Sequence, residues 1–185
     1  MNIRIALLTT ACALALSACG EKSPPPAESA SPAAESPSAA TTAATDAPEQ
    51  GGSVAAAAGC EIEIEGNDAM QYNTKSITVP ASCTDFTITL VHTGKMPVAA
   101  MGHNVVISAS KDMQSVVAAG MTAGLAADYV KPGADDVIAY SKMIGGGETT
   151  SVTFAVSEIR DGGPYKFFCS FPGHASLMNG AITVE

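Results

Sequence analysis

Apolar and polar side chains alternate in short runs from Cys60 to the end of this 185-residue chain. The clearest run places apolar or aromatic side chains at every second position, namely Phe86, Ile88, Leu90 and His92. Similar alternating or extended runs occupy residues 61–65, 105–107, 152–156, 165–169 and 181–184. A period of two is typical of a half-buried strand, so each run predicts a β-strand.

Only residues 111–125 carry helical spacing. There Met113, Val116, Val117 and Met121 fall on one side of a helix. Glycine, proline, asparagine and aspartate separate the other runs, as expected for turns. Many short strands with one helical excursion predict an all-β domain, a Greek-key β-sandwich, over residues 60–185.

The first eighteen residues have the features of an export signal. Arg4 precedes an apolar run over residues 5–16 that is too short to span a bilayer as a mature helix. The run ends in Leu-Ser-Ala-Cys at residues 16–19, which resembles a bacterial lipobox. We therefore expect residues 1–18 to be a lipoprotein signal peptide and Cys19 to be acylated. A plain signal peptide followed by a chance cysteine is the alternative.

Residues 19–59 are rich in alanine, proline, serine and glutamate. After Cys19 the segment contains no leucine, isoleucine or aromatic residue, so it has little apolar surface to offset the entropy lost on folding. We expect a disordered tether with a span of about 35 Å, estimated from a random-coil chain of its length.

The chain is acidic, with 18 aspartates and glutamates against 9 lysines and arginines. This balance argues against nucleic-acid binding, which needs clustered basic residues. It fits cationic protein partners, although acidity can also serve solubility alone.

A cluster of potential metal ligands lies near the C-terminus. Cys169, His174 and Met178 offer a thiolate, an imidazole and a thioether within ten residues. Thiolate and imidazole together favour copper or zinc, and a weak axial methionine indicates a copper electron-transfer site. A second histidine has to come from elsewhere, and His103 is the candidate because it stands directly before an apolar strand.

Other uses of Cys169 are less well supported. A cysteine protease would need a residue placed to orient its histidine, a structural zinc site would have more cysteines, and a binuclear copper centre would need two cysteines in the last loop. Cys60 and Cys83 also remain after the anchor. In an oxidising compartment, three cysteines indicate one disulfide and one free thiol, without saying which residues pair.

Four longer motifs extend through the predicted domain. They are Gly-Asn-Asp-Ala-Met-Gln-Tyr-Asn-Thr at residues 66–74, Met-Gly-His-Asn at 101–104, Asp-Tyr-Val-Lys-Pro at 128–132 and Phe-Cys-Ser-Phe-Pro-Gly-His at 168–174. With these motifs the domain resembles the azurins, blue-copper proteins of the cupredoxin family. The lipobox and tether resemble those of the lipid-modified outer-membrane azurins of Gram-negative bacteria.

The resemblance implies a complete set of site residues. One copper ion, cycling between Cu(I) and Cu(II), would have His103, Cys169 and His174 in its plane. Met178 would be a weak axial ligand, and the carbonyl of Gly102 would approach from the opposite side. Outside the ligands, Asn104 and the amide of Phe171 would fix the cysteine loop and bond its sulfur. The family's disulfide corresponds to Cys60 and Cys83.

The resemblance also implies a function. The protein would transfer single electrons between respiratory or oxidant-defence partners such as c-type cytochromes, copper reductases or peroxidases. It would not be an enzyme, because protein groups occupy every position around the copper. Partners would dock on an apolar surface formed by Met70, Met101, Met121, Phe171, Pro172, Gly173 and Leu177.

The expected location is the cell envelope. The lipid anchor would hold the protein on a membrane, and Gly20 lacks the aspartate that often signals inner-membrane retention, so the outer membrane is favoured. The domain would face the periplasm or the cell exterior. The alternative function is copper binding for storage, or for protection from copper and oxidants.

Overall fold

The structure, a computed structural model, describes residues 54–56 and 59–185, and these residues are mainly β-strands. The strands are β1 (Val54–Ala56), β2 (Glu61–Asn67), β3 (Gln71–Tyr72), β4 (Ser76–Val79), β5 (Asp85–His92), β6 (Val106–Ala109), β7 (Ala139–Tyr140), β8 (Thr149–Ala155), β9 (Tyr165–Phe168) and β10 (Asn179–Val184). The α-helices are α1 (Val98–Met101) and α2 (Met113–Ala123), and single 3-10 turns occupy Leu125–Ala127, Val156–Glu158 and His174–Ser176. The predicted signal peptide, Cys19 and most of the predicted tether lie outside the described residues, but Val54–Ala56 form a strand paired with β4 where a disordered tether is predicted.

The strands form two sheets. The larger has the order β1-β4-β10-β9-β6-β7, and the smaller has the order β3-β2-β5-β8. Strands β1, β4 and β10 run parallel to one another, while β9 is antiparallel to β10. Side chains from both sheets share the larger of two hydrophobic clusters, so the prediction of an all-β sandwich with a helical excursion is confirmed. No helix within the described ranges is long and apolar enough to cross a membrane.

Strand β5 follows the predicted alternation. Phe86, Ile88, Leu90 and His92 are all buried, while the residues between them are partly exposed. The helical prediction for residues 111–125 is confirmed by α2, which buries Met113, Val116 and Gly120. Both elements therefore form where the periodicity of the sequence places them.

The structure differs from the predicted pattern at Val156. The sequence predicts that this residue continues the alternation of Val152 and Phe154, but β8 ends at Ala155 and Val156 begins a 3-10 turn. Its side chain is still completely buried. The alternating pattern indicates which side chains are buried, but it does not fix the backbone conformation. Here a turn buries the side chain that a longer strand would have buried.

A disulfide joins Cys60, just before β2, to Cys83, just before β5. This confirms the pairing implied by the family resemblance. Cys169 is the free cysteine of the described residues, and it is buried.

Replacing both Cys60 and Cys83 by alanine should lower the free energy of unfolding by roughly 3 kcal/mol, because the bridge closes a loop in the unfolded chain. The two cysteines are 23 residues apart, which sets the size of that loop. Denaturant unfolding of the metal-free protein measures the difference. The variant should keep the metal centre, which uses neither cysteine, and a loss of stability well below 1 kcal/mol would contradict the expectation.

Candidate metal centre

Three side chains from two separate segments bring ligand atoms together. His103, Cys169 and His174 are buried, and their candidate ligand atoms lie within 4.8 Å of one another. Among them, the Cys169 Sγ and the His174 Nδ1 are 3.6 Å apart. The three residues that the sequence singled out as equatorial ligands are therefore neighbours in space.

The loop between β9 and β10 positions two of them. Cys169 directly follows β9, and its N–H donates to the Met178 carbonyl at 3.0 Å. Gly173, with φ 84°, turns the chain, and the His174 N–H donates to the Phe171 carbonyl at 3.0 Å. The Met178 N–H in turn donates to the His174 carbonyl at 2.7 Å. These backbone bonds close the loop on itself and fix the positions of Cys169 and His174.

His103 reaches the site from a separate part of the chain. It exchanges two backbone hydrogen bonds with Ile144, each 2.9 Å long. Its ring nitrogens face two carbonyl oxygens, with Nε2 2.8 Å from Asn67 O and Nδ1 2.8 Å from Gly102 O. Burial lowers the pKa of His103, so the ring is neutral at pH 7 and carries one N–H. The ring nitrogen without a proton therefore has its lone pair facing a carbonyl oxygen, and the two repel each other. A cation bound to that nitrogen would remove the repulsion.

The other two groups are also shifted towards their neutral forms in the metal-free site. Burial raises the pKa of the Cys169 thiol from 9.0 to about 12, against the opposing effect of hydrogen bonds from the amides of Asn104 and Phe171. Burial, followed by the charges of His103 and His92, lowers the pKa of His174 from 6.5 to about 4. At neutral pH the metal-free site therefore holds a protonated thiol and neutral imidazoles.

The donor set fits copper. A metal about 2.0 Å from an imidazole nitrogen and about 2.3 Å from a thiolate sulfur places those atoms about 3.5–3.7 Å apart at an angle of roughly 110–120°. The 3.6 Å between Cys169 Sγ and His174 Nδ1 agrees with this spacing. Imidazole and thiolate donors together select copper or zinc.

Met178 and Gly102 border the three donors. Met178 is completely buried, and the Gly102 carbonyl oxygen lies 3.7 Å from the Cys169 sulfur. A Cβ on Gly66 would lie 2.9 Å from the His103 ring and 3.5 Å from the Met178 methyl group. Only glycine at position 66 allows these two side chains their present positions.

Asn104 joins the two segments that carry the donors. Its Oδ1 accepts from the Ser170 N–H at 2.9 Å, and its Nδ2 donates to the Ser170 Oγ at 2.9 Å and to the Asp128 carbonyl at 3.0 Å. Asn104 follows His103 and Ser170 follows Cys169. The side chain of Asn104 therefore ties one ligand segment to the other.

His92 supports the site without offering a ligand. Its ring stacks on His103 with 4.1 Å between centroids. Its Nδ1 accepts from the Gly94 N–H at 3.0 Å, which leaves the proton on Nε2 to donate to the Met101 carbonyl at 2.8 Å. The sequence placed His92 on the buried side of β5 but did not indicate this stacking role.

The residues of the expected docking surface differ in exposure. Met121 and Leu177 are 57% and 51% exposed. Partly exposed members are Met70, Met101 and Pro172, and Gly173 is exposed. Phe171 is only 9% exposed, because its ring packs against His174, with centroids 4.5 Å apart, and against Tyr129 at 5.4 Å. Phe171 thus lies beneath the exposed residues of this surface and contributes little solvent-accessible area to it.

Comparisons with known proteins agree with the donor set. A model for copper binding proteins of the plastocyanin/azurin family matches residues 58–185. Azurin from Alcaligenes faecalis is 60% identical over 123 residues, which are 66% of this chain and 96% of that protein. Azurin from Pseudomonas aeruginosa PAO1 is 53% identical over 129 residues, 70% of this chain and 87% of that protein. Azurin-2 from Alcaligenes xylosoxydans xylosoxydans is 56% identical over 123 residues, 66% of this chain and 95% of that protein.

These matches, together with the His103, Cys169 and His174 cluster, confirm the prediction of one copper ion as the cofactor. The chain belongs to the plastocyanin/azurin family of copper-binding proteins.

Proposed function

We propose that the protein is a one-electron carrier whose copper is held by His103, Cys169 and His174. The buried Met178 sulfur and the Gly102 carbonyl, which borders Cys169, would be additional, weaker contacts of the metal. Bound copper supplies the one-electron couple between Cu(I) and Cu(II). The observation that carries the proposal is the closed and buried donor set, in which Cys169 is inaccessible and His174 is 2% exposed.

The surrounding residues hold the donors in place and exclude water. The backbone bonds of the 169–178 loop and the side chain of Asn104 fix their separation. A fixed site suits electron transfer, because the ligands need little rearrangement when the charge of the metal changes. It also leaves no open position for a substrate, and we infer that the protein is not an enzyme.

Copper storage or protection from copper is the alternative. It would use the same donors, but a storage protein has to exchange its metal readily. The buried loop around Cys169 and His174 favours slow exchange. Electron transfer is therefore the better supported function, and protection from oxidants can be one of its consequences.

Electron exchange with a cationic c-type cytochrome tests the proposal directly. We expect stopped-flow mixing of the reduced copper protein with the oxidised cytochrome to give rapid transfer. Leu177 belongs to the metal loop and is 51% exposed, so Leu177→Asp should slow the reaction without changing the spectrum. Copper release to a chelator that is faster than electron transfer would favour storage instead.

We further propose that the mature protein is attached to the outer membrane through a lipid on Cys19. The supporting observation is the lipobox-like sequence at residues 16–19, followed by a segment rich in alanine, proline and serine. More than one acyl chain on the cysteine would suffice for stable anchoring. The partners would then be redox proteins of the envelope, such as c-type cytochromes, copper reductases or peroxidases.

Cys19→Ala should release the protein from the membrane fraction. We expect the variant to be found in the soluble envelope fraction with an unchanged copper spectrum, because the metal centre lies within residues 102–178. Cell fractionation with immunoblotting and mass spectrometry of the mature N-terminus provide the measurement. If the variant is processed and still remains in the membrane fraction, the lipid anchor is wrong.

A further inference from the structure

Two consecutive residues beside the metal centre have left-handed backbone conformations. Asp128 has φ 54° and Tyr129 has φ 51°, directly after the 3-10 turn Leu125–Ala127. Residues other than glycine avoid this region, although aspartate and asparagine tolerate it better than most. Two such residues in succession persist only where the surrounding structure holds them, and such strain often accompanies a functional site.

The backbone of Asp128 is bound to the cysteine segment. Its carbonyl oxygen accepts from the Asn104 Nδ2 at 3.0 Å and from the Ser170 Oγ at 3.3 Å. Ser170 and Asn104 are the residues that follow Cys169 and His103. The left-handed turn therefore supplies an acceptor that both ligand segments share.

The side chain of Asp128 is bound to a different segment. Its Oδ1 accepts from the Met143 N–H at 2.8 Å. The Met143 side chain covers Gly102, since a Cβ on Gly102 would lie 2.9 Å from both the Met143 Cγ and Sδ. The carbonyl of Gly102 lies 3.7 Å from the Cys169 sulfur. Through Met143, Asp128 thus reaches the Gly102 side of the metal centre.

The neighbouring Tyr129 is connected to the candidate ligand His174 through the ring of Phe171. Its ring packs edge-on against Phe171, and Phe171 packs against His174. On the other side, helix α2 approaches so closely that a Cβ on Gly120 would lie 2.0 Å from the Tyr129 carbonyl oxygen. The turn is therefore confined between α2 and the metal loop.

We propose that Asp128 is a positioning residue of the metal centre, fixing the Cys169 segment through its carbonyl and the Gly102 segment through its carboxylate. It acts without touching the metal, by setting the separation of groups that do. The inference rests on the metal centre proposed above. Wild-type copper binding is measured first, so that failure of the centre itself is recognised separately from failure of this role.

Three substitutions separate the two contributions of Asp128. Asp128→Asn keeps an Oδ1 acceptor and tolerates the left-handed backbone. Asp128→Gly keeps the backbone conformation and loses the acceptor, and Asp128→Ala loses both. Asp135→Gly is the matched control, because Asp135 is an exposed carboxylate that takes no part in these hydrogen bonds.

We expect Asp128→Asn and Asp135→Gly to retain wild-type copper affinity in competition with a chelator. Asp128→Gly should bind copper about 10–100-fold more weakly, the usual effect of losing a partner of a metal-ligand segment. Its thiolate-to-copper absorption band and its reduction potential should also shift, while those of Asp128→Asn should not. In the metal-free protein, the Met143 and Gly102 amide NMR signals should move in Asp128→Gly and Asp128→Ala but not in Asp128→Asn, because only the first two variants lose the side-chain acceptor. The Ser170 amide signal should move only in Asp128→Ala, which also displaces the backbone carbonyl.

Two results would overturn the proposal. Wild-type affinity, spectrum and potential in Asp128→Gly would show that the carboxylate does not position the site. Equal losses in Asp128→Asn and Asp128→Gly would show that a hydrogen-bond acceptor at this position is not what matters. If Asp128→Ala fails to fold, the other two variants still decide the question.

Discussion

Replacing Cys169 by serine should abolish the intense blue absorption of the oxidised, copper-loaded protein. In a copper site of this kind the colour arises from charge transfer between the thiolate sulfur and Cu(II), and a serine oxygen cannot replace that soft donor. Cys169 is the free cysteine of the described residues, and its sulfur lies among the candidate ligands. Visible spectroscopy of the copper-loaded variant, with copper content measured separately, checks the result.

The disulfide-free variant of Cys60 and Cys83 is the control for this experiment. It also loses sulfur, but those sulfurs are bonded to each other outside the ligand cluster. It should stay as blue as the wild-type protein while being less stable. A Cys169→Ser protein that remains blue, or a colourless oxidised wild type with bound copper, would refute the assignment of Cys169 as a ligand.

Metal binding at neutral pH should release close to one proton, and affinity should fall about tenfold for each unit by which the pH is lowered. The reason is the Cys169 thiol, whose pKa of about 12 keeps it protonated in the metal-free protein. The metal needs the thiolate, so protons compete with it throughout the range below that pKa. The histidines release no proton near pH 7, because the pKa values of His103 and His174 are lowered.

The slope should steepen in acid. Below the pKa of His174, about 4, binding has to displace a further proton from its imidazole. Calorimetric titration with Zn²⁺, which has no redox chemistry, in two buffers of different ionisation enthalpy gives the number of protons released. Cys169→Ser should release close to none at pH 7. An affinity for Zn²⁺ that is independent of pH between 6 and 9 would contradict the burial of a protonated thiol.

The sequence predicts those strands and helices in which buried apolar residues recur at regular spacing. The alternation of β5 and the helical spacing of α2 are both visible because apolar residues fall on one face. Strands β3 and β7 have two residues each, too few for any period to be recognised. These two strands form because they pair with neighbouring strands. Such pairing depends on other parts of the chain, so it leaves no pattern in the local sequence.

The metal centre shows the same division. Cys169, His174 and Met178 lie within ten residues, so their chemistry could be recognised from composition and spacing alone. Asp128 could not be recognised in this way, because its carbonyl is common to all residues and its left-handed conformation depends on its neighbours. The burial of Phe171 was missed for a related reason, since it depends on the ring of Tyr129.

The parallel pairing of β1 determines where the chain enters the domain. Val54 lies opposite Ser76, and the adjacent Lys75 donates from its Nζ to the Leu177 carbonyl at 2.6 Å, beside the copper loop. Cys60, which begins the core sequence, lies at the other end of the sandwich, where it is bonded to Cys83. Strand β1 thus runs beside β4 from Ser76 to Thr78 before β2 begins. A pulling force applied at Val54 would therefore be transmitted to the domain through the pairing of β1 with β4, and not through the disulfide.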